Sequence, residues 1–193
     1  MQPLIILASG SPRRAELLRQ VGISFLQSPV SLDETPLPDE APDNYVHRLA
    51  LAKARAGWQQ AQARGDHLPV LGADTTVALN HRIMGKPANL EESLAMLTAL
   101  SANTHQVFTA VSVVNAEQQL SLVVETAVTF RHLSRAEILS YWQTGEPCDK
   151  AGSYAIQGLG AVFVSNISGS YSAVVGLPLM ETWELLKTMG VLK

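Results

Sequence analysis

Cysteine is nearly absent from this chain. The single one, Cys148, cannot form an intramolecular disulfide, and no multi-cysteine metal site is possible. Such a composition suits a reducing compartment. A basic excess is absent too: 14 Lys and Arg stand against 17 Asp and Glu, a formal net charge of -3. Proteins that grip long nucleic acid carry the opposite balance, so no stable nucleic-acid partner is expected. No apolar run approaches the roughly 18 residues that a membrane span needs. The first apolar run, residues 4–8, has no basic residue before it and two arginines after it, the reverse of a secretory signal peptide. A soluble, cytoplasmic protein is the expectation. Familiar catalytic signatures are missing as well. The five histidines are scattered, with no HExxH and no zinc-ligand spacing. Neither a P-loop nor a GxSxG elbow occurs.

What is present is ample apolar material. Hydrophobic residues make up 47% and charged residues 16% of 193, enough for one folded domain with a substantial core. Residues 4–8 read as a short buried strand. Ser11 is a plausible N-cap with Pro12 at the first helical position, and that helix stops near Gly22. Residues 23–27 read as a strand and 31–41 as an acidic, proline-bearing loop. Pro42 opens a longer helix reaching about Ala63. Residues 70–79 are strand-like but interrupted by Asp74-Thr75-Thr76. A turn at 80–82 leads to a short strand at 83–84. A helix over 90–100 and two long strands, 105–115 and 120–131, follow. Ser134 with Glu137 forms a capping box. A strand at 162–165 and a helix over 179–189 complete the chain. Strands and helices intermix throughout, so the class is α/β or α+β with a mixed sheet, and no linker divides it.

Several residues stand out chemically. A strand, a glycine-bearing turn and a helix start, Leu7-Ala-Ser-Gly-Ser-Pro-Arg-Arg14, present free backbone N–H groups and the positive end of a helix dipole. That arrangement binds anions, and Arg13 and Arg14 would add bidentate donors. A solvated helix start accounts for the same residues. On a helical wheel Lys53 falls between Leu49 and Val46, inside an apolar face. It is either snorkelling or reaching into a site. Asp74, in an apolar run, needs a metal, an arginine or N–H groups as partner. The bland alternative is a turn aspartate between two hairpin strands. Lys86 lies beside a rigid turn, and Gln157 could read a base edge or satisfy a loop carbonyl. The inventory is lopsided: Arg13, Arg14, Lys53 and Lys86 as cations, Glu34 and Asp74 as carboxylates. Cations for phosphate and carboxylates for a divalent ion suit metal-assisted phosphate-ester or anhydride chemistry.

The ordered set Ser9-Gly-Ser-Pro-Arg-Arg14, Asp33-Glu34-Thr35, Arg48-Leu-Ala-x-x-Lys53, Gly72-Ala-Asp-Thr75, Gly85-Lys-Pro87, Asp149-Lys-Ala-Gly-Ser-Tyr154, Ile156-Gln-Gly158 and Val175-Gly-Leu-Pro178 resembles the Maf family of nucleoside triphosphate pyrophosphatases, once described as septum-formation inhibitors. The resemblance implies a single two-lobed α/β domain over 1–193, with a long mixed sheet, flanking helices and a cleft between lobes, like inosine triphosphatases. It implies a homodimer and a need for a divalent ion, Mg2+ or Mn2+. It implies cleavage between the α- and β-phosphates, giving monophosphate and pyrophosphate. Carried over by matching position, Asp74 activates water and Glu34 helps hold the metal. Ser9, Arg14, Lys53 and Lys86 meet phosphates, and Arg13, Thr75 and Gln157 mark substrate choice. These three match the subgroup that prefers dTTP and UTP. Thymine and uracil offer an N3–H beside carbonyl oxygens, and an amide supplies acceptor and donor together. A second class of function, a non-catalytic nucleotide-binding regulator of cell division, follows from the older family description. Carboxylates beside the phosphates disfavour it, because without a metal they repel the ligand.

Overall fold

The structure is a computed structural model that describes residues 2–192. Its centre is a seven-stranded mixed sheet: β1 (Ile5–Leu7), β2 (Phe25–Gln27), β3 (Val70–Leu79), β4 (Arg82–Met84), β5 (Thr104–Val114), β6 (Gln119–Phe130) and β7 (Val164–Ser168). The order is β2-β1-β3-β5-β6-β7, with β4 also on β3. The pairs β1/β2 and β1/β3 are parallel and the rest antiparallel. Six helices flank it: α1 (Pro12–Gln20), α2 (Pro42–Ala63), α3 (Leu90–Leu100), α4 (Arg135–Gln143), α5 (Tyr171–Val175) and α6 (Leu179–Thr188). No helix among the described residues is long and apolar enough to cross a membrane.

Strand alternation splits the core in two. Ile5, Leu7, Leu71, Ala73 and Val77 pack in the larger cluster with residues of α1, α3, α4 and α6. Ile6, Ala8 and Val70 pack on the other face with Ala54, Trp58 and Ala61 of α2. Small residues let α2 press close to the sheet. A Cβ on Gly72 would lie 2.5 Å from the Ala54 nitrogen and 3.0 Å from its Cα. Backbone atoms of a packed helix cannot step aside as a side-chain tip can. Gly72→Ala is therefore expected to cost about 1–3 kcal/mol, read as a lowered urea midpoint, with reduced turnover because α2 also carries Lys53. An unchanged midpoint would contradict this close packing.

The feature that makes a site is a gap along one edge of β3. On that edge β1 pairs with Val70 and Leu71, and β4 pairs with Val77, Ala78 and Leu79. Residues 72–76 have no strand neighbour there, while β5 backs all of them on the other side. Strand β3 runs unbroken through Asp74-Thr75-Thr76, so the reading of Asp74 as a turn residue between hairpin strands is overturned. Apolar flanks and full pairing to β5 hold the polar triplet extended.

Other expectations shift less. The capping box of α4 is present, Ser134 and Glu137 bonding reciprocally. Ser11 occupies the N-cap of α1, but its side chain makes no capping bond. The last strand starts at Val164 rather than at 162, because Leu159–Phe163 forms a 3-10 turn. Two more 3-10 turns, Glu146–Asp149 and Ala151–Ser153, shape the polar segment after α4. Helix α5 was not foreseen; five residues are too few for helical periodicity to register.

Candidate active site

Beside the gap lies a cleft of about 930 Å³, and all nine residues singled out from the sequence line it: Ser9, Arg13, Arg14, Glu34, Lys53, Asp74, Thr75, Lys86 and Gln157. The β1–α1 loop, the end of β4 and the 3-10 turns all line it. At the floor, alternation aims Asp74 at α2. Its Oδ1 accepts a hydrogen bond from Lys53 Nζ at 2.7 Å, and the same ammonium lies 2.5 Å from Glu34 Oε1. Lys53 is 8% exposed and Asp74 6%. The snorkelling reading of Lys53 is thus corrected: its stem crosses the apolar face, but its charge ends in a buried ion pair. Burial raises the Asp74 carboxyl above its ordinary value, against the opposing pull of Lys53 and Arg14. Burial also pushes Glu34 upward, but the Lys53 hydrogen bond and charge, with Lys86 and Arg14 beyond, outweigh it and hold that carboxyl low. Two neighbouring carboxylates are therefore driven in opposite directions. Such divergence marks sites where one group must take up a proton and another must stay charged.

Thr75 points to the opposite face. Thr109 Oγ1 lies 2.7 Å from the Ala173 carbonyl oxygen and 3.0 Å from Thr75 Oγ1. A carbonyl only accepts, so the single Thr109 proton goes to Ala173 at the shorter distance, and Thr75 Oγ1 stands beside it as a further acceptor. Thr75 in turn accepts from an Arg14 terminal nitrogen at 3.3 Å. Arg14 also donates from Nε to the Gly176 carbonyl at 2.8 Å and from its other terminal nitrogen to Ser9 Oγ at 3.2 Å. It braces the β1–α1 loop, β3 and the end of α5 together, and keeps one N–H on each terminal nitrogen for a ligand. Sequence reasoning gave Arg14 only the ligand role and missed Thr109, which looks like any β-branched strand residue.

Arg13 is different. Its Nε is buried without a hydrogen-bond partner, which is uncommon enough to need a reason. Burial lowers the pKa of both guanidiniums, opposed at Arg13 by Asp149 and at Arg14 mainly by Asp74. Desolvated cations at an uncapped helix start form a place that an anion would relieve. Lys86 is exposed at the far rim, and Gln157 is exposed in the cleft with no hydrogen-bonded side-chain partner among the described residues. No cluster of three or more His, Cys, Asp or Glu residues able to hold a metal occurs among the described residues. Glu34 and Asp74, whose carboxylates both meet Lys53, nonetheless fit a Mg2+-type ion that keeps one or two protein carboxylates and takes phosphate oxygens for the rest.

A family profile described as Maf-like protein matches residues 4–189. The chain belongs to the Maf family. Among the relatives of this Maf chain, one from Pseudoalteromonas atlantica is 53% identical over 97% of this chain and 98% of its own. One from Pseudoalteromonas translucida is 54% identical over 97% and 98%, and one from Vibrio parahaemolyticus 55% over 95% of each. All three carry the name dTTP/UTP pyrophosphatase. The Maf motifs, spread over most of the chain, come together around this one cleft. Of the additional lining residues, Tyr154 ends the motif Asp149-Lys-Ala-Gly-Ser-Tyr154, whereas Glu146 lies outside every motif read from the sequence.

Proposed function

We propose that this Maf protein hydrolyses dTTP and UTP, and modified pyrimidine triphosphates of the same edge chemistry, to the monophosphate and pyrophosphate. The observation that carries this reading is the buried Asp74–Lys53 pair with the exposed Glu34 on the same ammonium, set in a cleft that also holds Arg13, Arg14 and Lys86. The names of relatives at 53–55% identity support it.

In this mechanism Arg13, the remaining N–H groups of Arg14, Ser9 and Lys86 bind the polyphosphate and offset its charge. Glu34, held ionised, and Asp74 would hold the divalent ion, Mg2+ or Mn2+. Such an ion polarises phosphoryl oxygens and stabilises the leaving pyrophosphate when bound. Asp74, with its carboxyl raised above its ordinary value by burial, is the better proton acceptor of the two. It takes one proton from a water whose oxygen bonds to the α-phosphorus as the bond to the bridging oxygen breaks. The bond's electron pair leaves with pyrophosphate. Lys53 holds Asp74 ionised before the step and fixes its orientation.

The test is product analysis across a panel of nucleoside triphosphates with Mg2+ or Mn2+. Pyrophosphate released fastest from dTTP and UTP is the expected result. Orthophosphate as first product, or binding without turnover, would refute it, the latter in favour of a nucleotide-binding regulator. On the base side, Gln157→Glu loses the amide donor and places a charge at the base. It is expected to lower kcat/KM for dTTP and UTP about tenfold relative to other nucleotides. An unchanged ranking would remove Gln157 from base recognition.

A further inference from the structure

The segment that carries Gln157 is tied at both ends to one pair of side chains. The Ala155 N–H donates to Tyr141 Oη at 3.1 Å. Tyr141 Oη donates to Glu146 Oε1 at 2.7 Å. The same Oε1 accepts from the Gly160 N–H at 3.0 Å, and Oε2 accepts from the Leu159 N–H at 2.9 Å. A carboxylate only accepts and a backbone N–H only donates, so every proton in this set has one place. Tyr141 must accept from Ala155 and donate to Glu146.

Gln157 sits between the two tethers. Within them the Gly158 N–H closes a turn onto the Ala155 carbonyl at 3.2 Å. Gly158 is also pressed against the clamp: a Cβ there would come within 2.6 Å of the Glu146 carboxyl carbon. Burial pushes the Glu146 carboxyl up, but hydrogen bonds from Tyr141, Gly160 and Leu159 outweigh it and hold the group ionised. A bare carboxylate in a cleft for triphosphates would repel its ligand; this one is engaged by three protein donors. Nothing in the reaction needs a negative charge at this place, so the charge serves the loop.

We infer that Glu146, together with Tyr141, is a positioning residue for base selection: it fixes where the Gln157 amide stands in the cleft and so sets the preference for pyrimidine triphosphates. This rests on the reading of Gln157 as the base contact. Glu146→Gln keeps the side chain's shape but replaces one acceptor oxygen with an amine that cannot accept from a backbone N–H.

The experiment is a double-mutant cycle read as the ratio of kcat/KM for dTTP to that for dGTP. Glu146→Gln is expected to lower the ratio about tenfold. In a Gln157→Ala background, where the ratio has already fallen, the same change is expected to move it less than about twofold. Tyr141→Phe removes only the hydroxyl and keeps the ring against Phe163, whose centroid is 4.9 Å away. It is expected to lower the ratio in the same direction, and it serves if Glu146→Gln does not fold. Equal losses for both nucleotides, or full additivity with Gln157→Ala, would reduce Glu146 to a support of the fold and overturn the inference. Should Gln157→Ala itself leave the ratio unchanged, the base-contact reading fails and takes the clamp's role in selectivity with it. Should Gln157→Ala lower the ratio while both clamp variants leave it intact, only the clamp is refuted.

Discussion

Asp74→Asn should abolish nearly all turnover while leaving the fold at least as stable as the parent. The expected fall in kcat is about a hundred- to ten-thousand-fold, the range that a positioned base supplies. The amide keeps an oxygen for Lys53 Nζ, which lies 2.7 Å from the carboxylate now, so geometry is preserved and basicity is lost. The stability expectation follows from linkage. Burial raises the Asp74 carboxyl in the folded state, so between the ordinary carboxylate range and that higher value the folded form binds more protons than the unfolded one. Stability then falls as pH rises through this window, and the ionised group is a cost at neutral pH. A neutral amide removes that cost, and Lys53 is not stranded, because Glu34 Oε1 stays 2.5 Å from its ammonium. Thermal unfolding at pH 7 should show an equal or higher Tm. The same shift places the acid limb of the kcat/KM profile above the ordinary aspartate range, since the base works only when ionised. Parental turnover in Asp74→Asn would remove Asp74 as the base, and a lower Tm would contradict the cost assigned to its charge.

Lys53→Met should damage both stability and activity, for the opposite reason. Methionine matches the length of the stem but leaves Asp74 buried without its ammonium. Stranding one member of a buried pair costs about 3–5 kcal/mol, unless the carboxyl takes up a proton. The loss is therefore expected at neutral pH and should shrink as the solution is acidified, because protonated Asp74 no longer needs a partner. The acid limb of any residual activity should move to higher pH, since Lys53 is the largest influence holding that carboxyl down against burial. Adding Asp74→Asn to Lys53→Met should restore much of the stability and none of the turnover. Urea midpoints at two pH values check the first claim and pH profiles the second. A stability loss independent of pH would mean that Lys53 matters through packing alone.

How much of this could be read from residues alone depended on whether a signal was local. Asp74 was legible because a carboxylate inside an apolar run demands a partner, and Lys53 because it broke an apolar helical face. Their mutual bond was not legible: 21 positions separate them, and only the docking of α2 on Gly72 brings them together. Secondary structure followed the same rule. Pro42 as an opening residue placed α2, and helical spacing placed α3, with the observed bounds. The expected interruption of β3 was wrong because its pairing with β5, over nine residues, overrides the weak strand preference of Asp. Glu146 gave no sign of its role. Between Gly145 and Pro147 it resembles any charge in a turn, and its acceptors' partners come from residues 13 to 14 positions on.

The gap beside β3 also dictates which parts of the molecule can yield. The strand beneath it is laced to β5 over nine of its ten residues, and α2 is locked onto it through Gly72. This platform is stiff, so Asp74 and Lys53 keep their mutual distance while a nucleotide enters or leaves. Compliance belongs instead to the partly exposed β4, which holds on by three residue pairs, whereas Ile5–Leu7 of β1 are fully buried. Amide hydrogens of β4 should therefore exchange with solvent well before those of β3 and β5.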